Sequence, residues 1–347
     1  LKEHGYEIKV LNLVRPQYSD GYNPLMHISS ELDVDVIANT IVKGQKTDSG
    51  SDPYWDDMAE MLLKALIYYL IATRPEEEQN LASCAELVRA ANKNGGSNLL
   101  TDLMNQLPYD HPARMNYKSI EIAPEKTYGS ILSSLQSKLG KFDSKEIAEL
   151  TSTDTINFED IGNKKTAVYV ISSDTHTAYD FLLTIFFSQM IQQLYDYADQ
   201  NGGRLKEQTF FILDEFANIG KIPDFDKKIS TSRSRKISFS VILQNIDQLE
   251  AVYEKSYETI MGNCDTHVFL GSNSFKTVEY FSKALGEKTI GRDSISVNKD
   301  KQNHKTGKSV SDQVMARALM TPDELRRMDN NECIIFEKGI KPVKANK

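Results

Sequence analysis

The sequence predicts an α/β fold in which a parallel sheet is interrupted by an all-helical insertion. Three observations carry that prediction. Apolar runs of strand length alternate with helical patterns near the start of the chain and again from residue 167 onward, the signature of βαβ units. Between residues 52 and 150 the strand pattern gives way to helical stretches separated by Gly and Pro. The run Phe210-Phe211-Ile212-Leu213 ends in two adjacent carboxylates, Asp214 and Glu215, and a loop follows through Phe216-Ala217-Asn218-Ile219-Gly220. A short apolar run of this kind fits a parallel strand buried on both faces. Acidic groups at its carboxyl end stand where open α/β sheets place their ligands.

Composition narrows the function classes. A chain of 347 residues suits two domains, or one domain with a large insertion. A net charge of −8 excludes a surface that is basic throughout, so any nucleic-acid contact is local, for example in a channel. The three cysteines, Cys84, Cys264 and Cys333, are scattered and fit a reducing compartment rather than a disulfide framework. Neither they nor the six histidines show metal-ligand spacing, and no apolar run reaches membrane-spanning length.

Taken in order, residues 1–6 read as a helix end with Gly5 suited to its terminating position, and residues 7–12 as a short strand. Asp52-Pro53 is a helix start, and Trp55, Met58, Leu62, Leu63, Leu66 and Leu70 recur at helical spacing as a core-facing stripe. Residues 81–92, 98–106 and 128–139 are further helices of the insertion. The sheet pattern returns at residues 167–172, followed by a long, largely buried helix over 177–199 and the strand ending at Asp214. Next come a helix over 223–234, a strand over 237–243 ending at Gln244, and a helix over 246–254. A strand over 267–270 and a helix capped by Ser274 continue the alternation. Residues 299–308 read as a solvated basic loop rather than a DNA contact. Thr321-Pro322-Asp323-Glu324 is a capping box, and residues 332–336 form the final strand.

The chemistry-bearing residues follow the sheet. At the carboxyl end of a strand in a P-loop ATPase, Asp214 would hold Mg²⁺ directly or through water and Glu215 would orient the attacking water. In RecA-like ATPases a polar residue at the tip of the next strand, here Gln244, senses the γ-phosphate. An arginine such as Arg233, with Arg235 close by, can complete a neighbouring subunit's site. Taken singly, the arginines also suit surface charges and Gln244 a strand-end cap; their order along the sheet gives them chemical meaning. No G-x-x-x-x-G-K-[ST] occurs. Gly44-Gln45-Lys46-Thr47 lacks the spacing, and Thr306-Gly307-Lys308-Ser309 lacks the first glycine and a preceding apolar strand. A phosphate cradle needs a strand, a nest of backbone N–H groups and a helix N-terminus, and it is expected upstream of Leu1.

Four stretches then resemble, in order, the TraG-type coupling proteins of conjugative type IV secretion. They are Gly5 to Leu13 with Ser19-Asp20-Gly21-Tyr22-Asn23-Pro24-Leu25, Leu213 to Gly220, Ile242 to Leu249, and Leu319-Met320-Thr321-Pro322-Asp323-Glu324-Leu325. The resemblance implies a RecA-like P-loop ATPase sheet, incomplete because the Walker A strand is absent, with an inserted all-α domain. Residues 1–51 would begin the nucleotide-binding domain, 52–150 form the all-α domain, and 151–347 complete the nucleotide-binding domain with Walker B. It implies ATP and Mg²⁺ as cofactors of the full-length protein, little bound by this portion alone. Asp214 would bind both nucleotide and Mg²⁺, and Glu215, Arg233 (as arginine finger) and Gln244 would be catalytic. The implied partners are a relaxase or relaxosome, single-stranded and double-stranded DNA, and the components of the secretion channel. The implied assembly is a homo-hexamer, with this chain the cytoplasmic portion of a membrane-anchored motor. Two other readings stay open: an FtsK-like DNA translocase motor, and a non-catalytic substrate adaptor.

Overall fold

Strand β1 (Glu7–Asn12) pairs in parallel with β2 (Thr166–Ile171), register Glu7 to Thr166 through Asn12 to Ile171. A 3-10 turn over Lys2–His4 feeds β1 and closes on Gly5, whose φ of 79° is the left-handed conformation that glycine adopts without strain. The computed structural model describes residues 1–44, 53–93, 99–173, 178–299 and 306–347. It divides into two units, Leu1–Val241 and Ile242–Lys347.

Between β1 and β2 every described element is helical. The helices are α1 (Glu31–Lys43), α2 (Pro53–Thr73), α3 (Leu81–Lys93), α4 (Leu99–Met104), α5 (Pro112–Glu121), α6 (Glu125–Leu139), α7 (Lys145–Ser152) and α8 (Phe158–Asn163). Helix α2 is the hub: it packs on α1, α3, α5 and α6, and Leu62, Leu63, Leu66 and Leu70 of the expected stripe are buried. Glu60 on α2 joins Lys43 (2.9 Å) and Lys64 (2.8 Å), while Lys64 also reaches Asp35 (2.9 Å), so charges bridge α1 and α2. Helix α1 escaped the sequence reading. Its start is nevertheless written there: Ser30 and Asp33 form a capping box, and Val34, Ile37, Ala38, Ile41 and Val42 are all buried behind it. The motif Gly44-Gln45-Lys46-Thr47 lies mostly outside the described residues.

After β2 the long helix α9 (Asp180–Gln200) leads into β3 (Thr209–Leu213). Helix α10 (Phe225–Thr231) and a 3-10 turn over Ser232–Arg235 lead on to β4 (Ile237–Val241), which is parallel to β3. Here the structure corrects the expectation of a doubly buried strand. Thr209, Phe211 and Leu213 are buried, but Phe210 and Ile212 are 68% and 73% exposed. Alternate side chains of a strand point to opposite faces, and only one face of β3 is covered.

The second unit begins with α11 (Ile246–Tyr253) and α12 (Ser256–Gly262), then β5 (Thr266–Phe269) and α13 (Phe275–Leu285). Strands β6 (Glu287–Lys299) and β7 (Thr306–Ala318) form a long antiparallel ribbon. Lys299 and Thr306–Lys308 therefore belong to strands, and residues 300–305 of the expected loop lie outside the described residues. Thr306-Gly307-Lys308-Ser309 sits in β7, with no helix following it, which agrees with its rejection as a phosphate cradle. After α14 (Pro322–Arg326) comes β8 (Glu332–Glu337), antiparallel to β5; it is followed by β9 (Val343–Asn346), so the expected final strand is the penultimate one. The parallel arrangement expected of the whole sheet thus holds for β1–β2 and β3–β4, whereas β5–β8–β9 and β6–β7 are antiparallel. A short turn through Gly339 joins β8 to β9, and a connection that short can join only antiparallel neighbours. Phe269, Val278, Phe281, Leu325 and Ile334 form a core of this unit.

Candidate functional site

The site is built where β3 ends. Leu213 pairs with Val241 at the last step of the β3–β4 ladder, and the next two residues are Asp214 and Glu215. Glu215 has φ 47° and ψ 45°, a left-handed conformation in a residue with a side chain. Such a conformation costs of order 1–3 kcal/mol and persists only where the surroundings impose it. The surroundings are visible. A 3-10 turn over Phe216–Ile219 follows, with Phe216 and Ile219 buried, and the Phe216 ring lies 4.8 Å from that of Phe225 on α10. The Thr184 hydroxyl on α9 donates to the Ile219 carbonyl. Gly220, with φ 86°, completes the turn. Apolar anchors thus fix the loop from below, and both carboxylates stand exposed above it.

Their hydrogen bonds orient them. Asp214 Oδ1 accepts from the Glu215 backbone N–H at 3.0 Å. Glu215 Oε2 accepts from Asn218 Nδ2 at 2.7 Å, and the Glu215 carbonyl accepts from the Asn218 N–H at 2.7 Å. Asn218 had no role in the sequence reading; its place three residues after Glu215, inside a turn, is the signal that could have found it. The donor set suits Mg²⁺: one exposed carboxylate at a strand end, with room for water and phosphate oxygens, is how that ion is usually held. Among the described residues, no group of three or more His, Cys, Asp and Glu gathers as a metal site.

The two arginines differ sharply. Arg235 Nε and Nη2 donate to the Asp199 carboxylate at 2.9 Å each, and its guanidinium lies 4.8 Å from the centre of the Tyr195 ring. Tyr195 in turn donates to the Lys228 carbonyl, and burial pushes its hydroxyl up to about 12. Arg235 is therefore committed to holding α9 against the turn before β4. Arg233 sits in that same turn with an exposed side chain and has no ion-pair partner among the described residues. Gln244 belongs to the second unit. It lies in the segment before α11, three residues beyond the end of β4, and not at a strand tip; its Oε1 accepts from Gln248 Nε2 at 3.4 Å. Of the four expected residues, the structure brings Asp214 and Glu215 together.

Two of the other stretches that carry the resemblance turn out to be joints. Asp20 Oδ2 accepts from the Val10 N–H (2.7 Å) and Ser19 Oγ from that of Asn12 (2.9 Å), tying the turn to β1. Tyr22, fully buried, donates to Gln189 Oε1 on α9 at 2.6 Å. Gly21 and Thr155 exchange hydrogen bonds at 3.0 Å, and the His27 imidazole reaches Asp154 at 2.9 Å. Thr321 to Leu325 forms the expected capping box, with Leu325 buried in the core.

The whole chain, residues 1–347, matches the family described as Type IV secretory system Conjugative DNA transfer. The chain belongs to that family. Within the conjugative DNA transfer family it is 25% identical over 345 residues to the conjugal transfer protein TraG of Escherichia coli, a match covering 92% of this chain and 53% of that protein. It is 28% identical over 200 residues to protein VirD4 of Agrobacterium fabrum, covering 57% of this chain and 29% of VirD4. The chain thus spans about half the length of the TraG relative and less than a third of VirD4. Its fold is that of the plasmid coupling protein TrwB. The TrwB structure in complex with an ATP analogue superposes with a TM-score of 0.68 at 15% identity, covering 98% of this chain and 73% of that one. TrwB in complex with ADP and Mg²⁺ superposes with a TM-score of 0.64 at 16% identity, covering the same shares of the two chains. The RecA-like fold with an inserted helical domain, expected from the sequence, is thereby established. No helix among the described residues is long and apolar enough to cross a membrane.

Proposed function

We propose that this chain is the Walker B-bearing portion of a conjugative coupling protein. In the full protein, ATP hydrolysis would drive single-stranded DNA and an attached relaxase into a type IV secretion channel. The observation that carries this is the corner formed by Asp214 and Glu215: two exposed carboxylates at the carboxyl end of a parallel strand, on a strained turn pinned from beneath. Family membership and the nucleotide-bound TrwB structures support the same reading.

In this reading Asp214 holds Mg²⁺, which neutralises charge on the nucleotide phosphates. Glu215, steadied by Asn218, orients the attacking water. Arg233 reaches the nucleotide of the adjacent subunit in a homo-hexamer. Its planar guanidinium stays charged and can bond two phosphate oxygens at once, and the lack of an ion-pair partner for it among the described residues supports the choice over Arg235. Gln244 senses the γ-phosphate. Residues 52–150 form the all-α domain that contacts relaxase or DNA, flanked by the two parts, 1–51 and 151–347, of the nucleotide-binding domain. The full protein is anchored in the cell membrane, with this portion on the cytoplasmic side, and handles both double-stranded and single-stranded DNA.

The decisive measurement is DNA-stimulated ATP hydrolysis by the full-length protein. Glu215→Gln is expected to abolish turnover while nucleotide binding persists; undiminished turnover would remove the assignment. Arg233→Ala should lower turnover by roughly 10³ or more with nucleotide binding intact. Mixed hexamers of Arg233→Ala and Glu215→Gln subunits should regain part of the activity, since some interfaces then carry both intact residues.

A further inference from the structure

The helical region and the Asp214–Glu215 corner meet on one turn of helix. The 3-10 turn over Gly140–Asp143 packs on α3, α6 and α7, and its Asp143 accepts from Arg89 on α3. It is thus fastened within the helical region. Two of its side chains reach the first turn of α9. The Phe142 ring stands edge-on to Phe181 with 5.7 Å between centres, and Lys141 Nζ lies 5.0 Å from the centre of the same Phe181 ring. Phe142 and Phe181 are both buried. The same turn of α9 also faces the site. Asp180 and Leu183 line the cleft that holds Asp214, Glu215 and Asn218, and the Thr184 hydroxyl fastens the Ile219 carbonyl.

Lys141 breaks two local rules. It is a cation at the amino end of a 21-residue helix, where the helix dipole favours anions. It is partly buried without an ion pair among the described residues, and burial lowers its affinity for a proton; Asp180 offsets this only in part. Local rules are broken in this way where function demands it. Thr184 shows what the arrangement controls. A hydroxyl has one hydrogen to donate, and two carbonyls are in reach: that of Ile219 in the site loop, and that of Asp180 one turn back on α9 at 3.3 Å. While Lys141 and Phe142 hold the first turn in place, Thr184 serves the loop. When the turn shifts, the hydroxyl reverts to its own helix, a familiar bond for threonine, and the loop that carries Glu215 and Asn218 loses its anchor.

We infer, resting on the role proposed for Glu215, that Lys141 and Phe142 are positioning residues for that carboxylate, acting from the helical region through Phe181 and Thr184. A partner docked on the helical region can thereby tighten or slacken the corner that orients the attacking water, without touching the nucleotide.

The test is a double-mutant cycle read at the Asn218 amide, whose N–H is held by the Glu215 carbonyl at 2.7 Å. Hydrogen exchange there is measured in the 347-residue chain for three variants. Lys141→Met keeps the stem and removes the charge, Thr184→Val keeps the shape and removes the hydroxyl, and the third carries both. Each single substitution is expected to quicken exchange at least about threefold. The pair should exceed Thr184→Val alone by nothing, and Lys141→Arg should restore the parent rate. Tyr117→Phe, which removes a buried hydroxyl bonded to Thr101 and Tyr128 inside the helical region, should leave Asn218 unchanged. An unchanged rate in Lys141→Met, additive effects in the pair, or equal quickening by Tyr117→Phe would overturn the inference. Should Lys141→Met fold poorly, Phe181→Leu removes the same contact from the other side. In the full-length protein, Lys141→Met should lower kcat for ATP severalfold at unchanged KM; a kcat equal to the parent's would also overturn it. A parent protein without ATP hydrolysis would count against the proposed activity alone, because the exchange contrast needs no turnover.

Discussion

Gly220 is the residue on which the site's shape hangs. Its φ is 86°, and a Cβ placed there would stand 2.6 Å from Thr184 Oγ1, the group that anchors the loop to α9. Gly220→Ala should therefore cost about 1–3 kcal/mol in denaturant unfolding; a loss below about 0.5 kcal/mol would show that the loop is not pinned. The two arginines offer a second contrast that needs no catalytic assay. Arg235→Ala removes a two-point ion pair and a ring contact and should lower stability by about 1 kcal/mol. Arg233→Ala should stay within about 0.5 kcal/mol of the parent. Equal losses would contradict the division of labour between them. At this scale the sequence was legible where chemistry is contiguous, as in Asp214 and Glu215. It was silent where a partner is remote: Asp199, which occupies Arg235, lies 36 positions away, and no local pattern announces it.

Among elements, helix ends were read best, because capping is local chemistry. Ser274 and Thr321 both accept from backbone N–H groups as expected. Thr321→Ala should cost about 1 kcal/mol. Its capping partner Glu324 is held down to about 2 by the Thr321 N–H first and by Arg317 next. A carboxylate whose folded-state value is depressed contributes stability above its ordinary value, near 4.5, and loses it as the pH falls toward 2. Amide exchange of the α14 segment should accordingly quicken over that interval, and Glu324→Gln should abolish the pH dependence. The overlooked elements have physical explanations. Strands β6 and β7 are rich in polar and charged residues over 13 positions each, so neither shows an apolar run. Helix α5 buries only Ala113, Tyr117 and Ile120, too narrow a stripe to stand out beside Met115 at 50% exposure.

For the whole molecule, the sequence conveyed the class of fold but not how its strands divide into sheets. Periodicity reports which residues form strands, whereas pairing depends on neighbours far along the chain. The same long-range logic governs acid sensitivity. Glu60 is nearly buried; burial alone would raise its carboxyl, but Lys64 and Lys43 outweigh that and hold it below its ordinary value. Its contribution is present above about pH 4.5 and fades below that, so the contact between α1 and α2 should loosen in acid. Glu60→Gln should destabilise the chain by about 1–3 kcal/mol at neutral pH and flatten the acid limb of the unfolding curve; an unchanged limb would place the sensitivity elsewhere.

The hydrogen bonds between Gly21 and Thr155 have a consequence for how such proteins diversify. The chain leaves the sheet for the helical region and comes back to it through two segments held side by side. With the two ends already fastened, the length of what lies between adds little to the cost of closing the loop. A lineage can lengthen, trim or trade the helical region while inheriting the strands on either side of it unchanged.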